Sequence, residues 1–265
     1  MIDNARAELG LDKPFVVQYF TWLGNLLRGD MGTSYVSNTP VFATFVSKLP
    51  ATLLLTAVSI LLTVLISIPL GIWSAVKQNT ATDYVIRTAS FIGNSLPNFF
   101  VSLLLMYFFA IRLGWFPVIS GGVSLQSVAL PALTLAIAMS AKYLRQVRAT
   151  VLDELSKDYV LGARARGVKF STTMIRSVMK ASLVTIITLL TLSIGSLLGG
   201  MAIVESIFMW DGVGKLAVDA INMRDYPIIQ AYVMWMAIIY VVVNLITDLS
   251  YHFLDPRIRL GGIER

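Results

Sequence analysis

The chain has no cysteine. That excludes disulfides, thiolate metal sites and cysteine nucleophiles. Its single histidine is His252, too little for a histidine-based metal centre or a catalytic triad. Charge is scarce as well: 14% of the 265 residues are Asp, Glu, Lys or Arg, against about one quarter in an ordinary soluble domain. The centres of the long apolar runs hold no ionisable residue. Ion-coupled transporters and proton pumps use such residues as relays, so a chain that harvests an ion gradient is disfavoured. HExxH, GxSxG and GxGxxG in context are missing. Asp211-Gly212-Val213-Gly214-Lys215 looks like a P-loop fragment, but its spacing fails and Leu216 replaces the hydroxyl that would hold magnesium. It reads as a glycine turn. Residues 1–30 are mixed polar and lack the compact apolar core of a cleavable signal peptide. No catalytic residue, cofactor or metal is expected.

What the chain does have is apolar length. Hydrophobic residues make up 56% and mean hydropathy is +0.74. Five runs qualify as spans, at 51–76, 91–111, 129–144, 182–204 and 229–249. About 20 residues cross a hydrocarbon layer of ~30 Å. The third run is short and is expected to continue through Lys142, Arg145 and Arg148, whose long stems reach the interface. The expected fold is all-α and polytopic, with about five spans. Ala132, Ala136 and Ser140 recur at fourfold spacing, which lets backbones approach in lipid. Gly195 and Gly199, beside Gly200, read as helix packing or as a gap along a translocation path. Glu205 and Asp248 fall at span ends, where water is expected to reach them. Gly195, Gly199 and Glu205 are the candidate pathway or gate residues.

Orientation follows from Lys and Arg. Alternating the loops leaves Arg6, Lys13, Arg28, Lys48, Arg112, Lys215 and Arg224 on one side and the other two-thirds of the 21 basic residues opposite. The richer side is expected to be cytoplasmic. The net charge of +6 then reflects topology and does not call for nucleic acid. Residues 1–50 are read as an extracytoplasmic segment, 51–254 as the transmembrane domain and 255–265 as a cytoplasmic tail. The polar residues 1–50 would have to cross without a preceding apolar segment, so an earlier span is expected to be missing.

The densely charged stretch 153–167 lies between two apolar runs. Such an element, held at a membrane surface, is suited to meet a soluble partner. Gly162, Ala163, Ala165 and Gly167 permit close approach, and Arg164 and Arg166 offer cations to acidic groups. Val151, Leu155 and Tyr159 at fourfold spacing predict one apolar helical face. An interfacial helix against anionic lipid accounts for the same arginines.

Residues 159–167 (YVLGARARG) resemble the cytoplasmic signature of binding-protein-dependent ABC importer permeases. The resemblance is closest to the oligopeptide, dipeptide and nickel branch, whose Asp-Tyr-Val-x-x-Ala-Arg-Ala-x-Gly is matched by Asp158, Tyr159, Val160, Ala163, Arg164, Ala165 and Gly167. Supporting segments run in order along the chain: Trp22-Leu23-Gly24-Asn25, Leu49-Pro50-Ala51-Thr52, Leu113-Gly114-Trp115-Phe116-Pro117, Leu130-Pro131-Ala132, Val204-Glu205-Ser206-Ile207-Phe208, Arg224-Asp225-Tyr226-Pro227 and Leu254-Asp255-Pro256-Arg257. The chain departs where the branch usually has Trp-Pro-Gly and this sequence has Trp210-Asp211-Gly212, and at Leu183-Val184-Thr185, where a proline is common. The resemblance implies a type I ABC importer transmembrane domain with a short coupling helix, within 151–170, seated in an ATPase cleft. The residues it assigns to that contact are Glu154, Asp158, Tyr159, Ala163, Arg164, Ala165, Arg166 and Gly167. It implies a second homologous permease, two ATP-binding subunits that supply the energy, an extracytoplasmic solute-binding protein, and a bacterial or archaeal inner membrane. Peptides are the implied cargo, with nickel, chelated metal or glutathione as alternatives. A gated passive channel or a non-transporting scaffold would use the same spans.

Overall fold

The structure is a computed structural model that describes residues 12–119 and 121–254. At 189, 191–196, 198–200, 247, 248 and 250–254 it describes the backbone alone. Helices dominate the described residues, which hold no strand and a single isolated bridge, Thr33 to Pro40. In order they are α1 (Phe15–Leu27), α2 (Val41–Val76), α3 (Ala81–Ser95), and α4 (Asn98–Leu105), which runs on as a π-helical stretch, Met106–Arg112. Then come α5 (Leu125–Leu155), α6 (Asp158–Ala165) and α7 (Phe170–Thr173). A π-helical turn, Met174–Val178, joins α7 to α8 (Met179–Ile207), and α9 (Val213–Met223) and α10 (Tyr226–Leu254) follow.

The expected spans fall on these helices. α2, α5 and the 226–246 part of α10 are each long and apolar enough to cross a membrane. The fourth run falls on α8, whose side chains are described only in part. The third run extends past Arg148 to Leu155 as expected. The second run is corrected. It is no straight helix: α3 and α4 meet at 103° across Leu96-Pro97. Proline disfavours the helical region for the residue before it, and Leu96 is extended, at φ −83° and ψ 130°.

α2 is built partly inside out relative to a soluble helix. α2 buries its small polar residues, Thr52, Thr56, Ser59, Thr63, Ser67 and Ser74. It leaves Leu53, Leu61 and Leu65 outward, where lipid is as good a solvent as protein. The hydroxyls of Thr56, Ser59 and Thr63 donate to the carbonyls one turn earlier, each at 2.7 Å. They thus enter the interface without an unsatisfied donor. α2 makes its most extensive contact with α5, which buries Ala132, Ala136 and Ser140 as their spacing predicts. Gly71 marks a close approach: a Cβ there would lie 2.7 Å from Val147 Cβ.

α2 begins ten residues before the run read from hydropathy, at Val41 directly after Pro40. Proline suits this position because the first turn of a helix needs no N–H partner. α1 has no charged residue and no buried one.

Candidate functional site

Basic residues collect at the end of the bundle where α2 stops, α3 starts and α5 delivers the chain into α6. There Val147 and Val151 are fully buried among Ala75, Met174, Val178 and Ile186. This apolar plug makes the last turns of α5 a firm stem. α5 stops at Ser156, Lys157 is extended, and α6 restarts at Asp158. The predicted continuous face of Val151, Leu155 and Tyr159 is therefore corrected. The first two lie on α5, while Tyr159 lies beyond the break and is 40% exposed. Fourfold spacing has meaning only within one helix.

A polar brace spans the break. Tyr159 donates its hydroxyl to Glu154 Oε2 at 3.1 Å, and Lys157 pairs with Glu154 Oε1. Burial pushes the Tyr159 phenol up to about 12, and the hydrogen bond and charge of Glu154 add to the effect. Tyr159 therefore remains a donor at any physiological pH. α6 closes with a Schellman cap. Gly167 sits at φ +75°, Val168 N donates to Ala163 O at 3.1 Å, and Gly167 N donates to Arg164 O at 3.0 Å. Gly167 has a backbone reason to be glycine. Ala163 is the one buried residue of α6. Asp158, Ala165 and Arg166 are exposed. Arg164 faces a cavity of about 700 Å3, whose lining includes Gln78, Leu155, Val160 and Phe170.

Sequence reasoning missed the strongest polar contact at this end. Asp83, fully buried, accepts from Arg148 Nε and Nη2 at 2.8 Å each, from Ser74 Oγ at 2.5 Å and from Asn79 N at 3.0 Å. The two-pronged contact fixes the angle between the groups as well as their distance. It joins the last turn of α2, the first turn of α3 and the stem of α5. An Asp in a first helical turn was the only local hint. Its partner stands 65 residues away.

The opposite end corrects the reading of Glu205. It was expected where water reaches, yet it is fully buried. Thr52 Oγ1 donates to Glu205 Oε1 at 2.7 Å, and Lys215 N donates to Oε2 at 2.9 Å. The Gly214 amide donates as well. Val213 N donates to Thr52 Oγ1 at 2.9 Å. The carboxylate at the end of α8 thus caps the N-terminus of α9, where orphan amides and the helix dipole favour an anion. This explains the P-loop lookalike. Its glycines do cradle an acidic group, but that group is the chain's own Glu205 side chain. A Cβ on Gly212 would fall 2.3 Å from Glu205 Oε1. Further ties surround this latch. Trp210 Nε1 donates to Ala51 O at 3.0 Å, Lys48 pairs with Asp211 at 2.6 Å, and Asp225 accepts from Ser34 Oγ and, at 3.1 Å, from Tyr35 N. Of the other gate candidates, Gly195 and Gly199 lie on α8 but outside the residues whose surroundings are described.

Two ends thus emerge: an exposed short helix on a buried stem, and a latched loop. A family model for the binding-protein-dependent transport system inner membrane component matches residues 67–260. The oligopeptide transport system permease protein AppB of Bacillus subtilis is 42% identical over 261 residues, covering 94% of this chain and 82% of AppB. The glutathione transport system permease protein GsiC of Pectobacterium atrosepticum is 39% identical over 259 residues, covering 98% and 84%. Among solved structures, an inward facing conformation of the MetNI methionine ABC transporter superposes with a TM-score of 0.68 at 16% identity, over 80% of this chain and 96% of that one. An amino acid ABC transporter gives 0.62 at 18% identity, over 79% and 94%.

Proposed function

The chain belongs to the family of binding-protein-dependent transport system inner membrane components, and from that premise we propose that it forms the membrane pathway for short peptides. The cargo reaches it from an extracytoplasmic solute-binding protein. A second, homologous permease completes the pathway, and two ATP-binding subunits drive it from the basic, cytoplasmic side. The chain itself contributes no catalytic group. AppB is named for oligopeptides and GsiC for glutathione, which is itself a short peptide. The cargo class common to both is a small peptide with free carboxylates.

The observation that carries the reading is α6. It is a short helix with one buried residue, Ala163, mounted on the plugged stem of α5 and closed at Gly167 by a cap that holds its shape. Such an element can accept a push without unwinding. ATP binding draws the two ATPases together and α6 moves with them. The stem passes this motion to the spans, which exchange an inward-open for an outward-open arrangement. Cargo is released into the pathway, and hydrolysis restores the first arrangement. Residues 1–50 and the latched loop after α8 face the binding protein in this scheme, and 255–265 lie on the ATPase side.

The test uses the assembled transporter in proteoliposomes. Arg166→Cys should crosslink to an ATP-binding subunit. Ala163→Glu places a charge in the one buried position of α6 and should abolish peptide uptake while the chain still inserts. Normal uptake with Ala163→Glu, or crosslinking of Arg166→Cys to lipid alone, would sink the reading. Uptake of glutathione in preference to longer peptides would narrow the cargo to the GsiC type.

A further inference from the structure

We infer that Asp83 and Arg148 are positioning residues that carry the displacement of α6 into the bent pair α3–α4. The inference rests on the coupling role proposed for α6 and adds the route by which its motion leaves the stem.

Arg148 lies on α5 seven residues before Leu155, the last residue of that helix. That is two turns, about 10 Å along the axis. Between the stem and α6 stand only Ser156 and Lys157. A displacement of α6 therefore reaches Arg148 through helix that the Val147–Val151 plug keeps from bending. Asp83 sits in the first turn of α3. Of α3's residues only Asp83 and Ser90 are buried, and both bond to α5: Asp83 to the Arg148 guanidinium, and Ser90 Oγ to the carbonyl of Ala141. The outer faces of Tyr84, Val85, Phe91 and Ile92 are exposed. α3 is thus tied to α5 by two buried polar contacts, with Gly93 packed close to Ala141 and Ile137, and its other face is exposed.

The two kinds of contact differ in what they transmit. Apolar side chains in contact can slide past one another. A planar guanidinium held by both oxygens of a carboxylate resists both sliding and twisting. Ser74 and the Asn79 amide fix the same carboxylate to the end of α2, so the pair sets the angle among three helices. Beyond it, α3 leads to the 103° bend at Leu96-Pro97. A rotation imposed at Asp83 is passed across that bend to α4.

The experiment compares the reconstituted transporter, with its ATPases and binding protein, carrying Arg148→Lys, Asp83→Asn or the swap Asp83→Arg with Arg148→Asp. Arg148→Lys keeps the charge and loses the fork, so it separates geometry from charge and spares the fold. The readouts are peptide transported per ATP hydrolysed, the yield of assembled complex, and the Arg166→Cys crosslink to the ATPase. The expected result is a fall of about tenfold in peptide per ATP, the scale of a typical coupling free energy, with crosslink and assembly unchanged. Recovery in the swap is expected to be partial at most, because Arg87 lies 4.0 Å from Asp83 Oδ2 and would then face a second guanidinium. Wild-type stoichiometry in both Arg148→Lys and Asp83→Asn overturns the inference. So does a parallel fall of transport, hydrolysis and assembly, which marks a purely structural pair. Loss of the crosslink in the otherwise wild-type chain overturns the coupling role of α6 itself, and the two failures are told apart by that arm.

Discussion

Gly214→Ala puts the Glu205 latch to a sharp test. The added Cβ would stand 2.7 Å from Ala202 Cα and 2.8 Å from Glu205 Oε2. Relaxed carbon contacts need about 3.5–4.0 Å, so the start of α9 must retreat from α8 by close to 1 Å. The nearer obstacle is backbone, which does not swing aside. Overpacking of this kind costs about 1–3 kcal/mol. The retreat also stretches the two amide contacts to the Glu205 carboxylate, and a hydrogen bond to a charged group is worth about 1.5–3 kcal/mol. Against this, alanine gains at most ~1 kcal/mol over glycine in helix propensity. The net loss is about 3 kcal/mol. For a chain of this size, at ~2–4 °C per kcal/mol, it lowers the melting temperature by roughly 6–12 °C. Tryptophan fluorescence of the purified protein reports the transition, since Trp210 is buried beside the latch. Gly24→Ala is the matched control: it makes the same chemical change on α1, with nothing within 4 Å of the new carbon. If Gly214→Ala melts with the wild type and with Gly24→Ala, the account of the latch is wrong.

Two further outcomes follow from the opposite end. Gly71→Ala should lose about 1–3 kcal/mol by forcing α2 from α5, because the added Cβ would stand 2.7 Å from the Val147 Cβ and Cγ1 atoms and 3.0 Å from the Leu144 carbonyl oxygen; thermal unfolding of the variant checks this. Tyr159 holds its proton up to about 12 in the folded chain, against about 10 for an unfolded tyrosine. The folded state then binds the extra proton between those values, so stability falls as pH rises through that window. Unfolding measured across it should show a smaller slope in Tyr159→Phe.

The fold was legible because lipid enforces it. Runs of about 20 apolar residues have one cheap conformation in a bilayer. Local chemistry was present but under-read: Pro97 marks the bend inside what reads as one straight span, and Gly167, read for close approach, closes a left-handed cap. Contacts between distant residues were not legible. Glu205 looks like any carboxylate at a span end until Thr52, 153 residues away, and the α9 amides close over it. Asp83 and Arg148 carry no mutual signal in sequence. The apolar face predicted through Tyr159 failed for a related reason. Nothing in Leu155-Ser156-Lys157-Asp158 announces a helix break as proline would, and the break is stabilised by the Tyr159–Glu154–Lys157 brace, which exists only once the turn has formed.

α2 reaches both ends of the bundle. Thr52 holds the buried carboxylate at one and Ser74 holds Asp83 at the other, about 33 Å apart at ~1.5 Å per residue. That is the thickness of the hydrocarbon layer, bridged by a single axle with a fitting at each tip. The two ends are therefore joined by one continuous helix. A tilt of that helix moves both fittings together, alongside whatever passes between neighbouring helices.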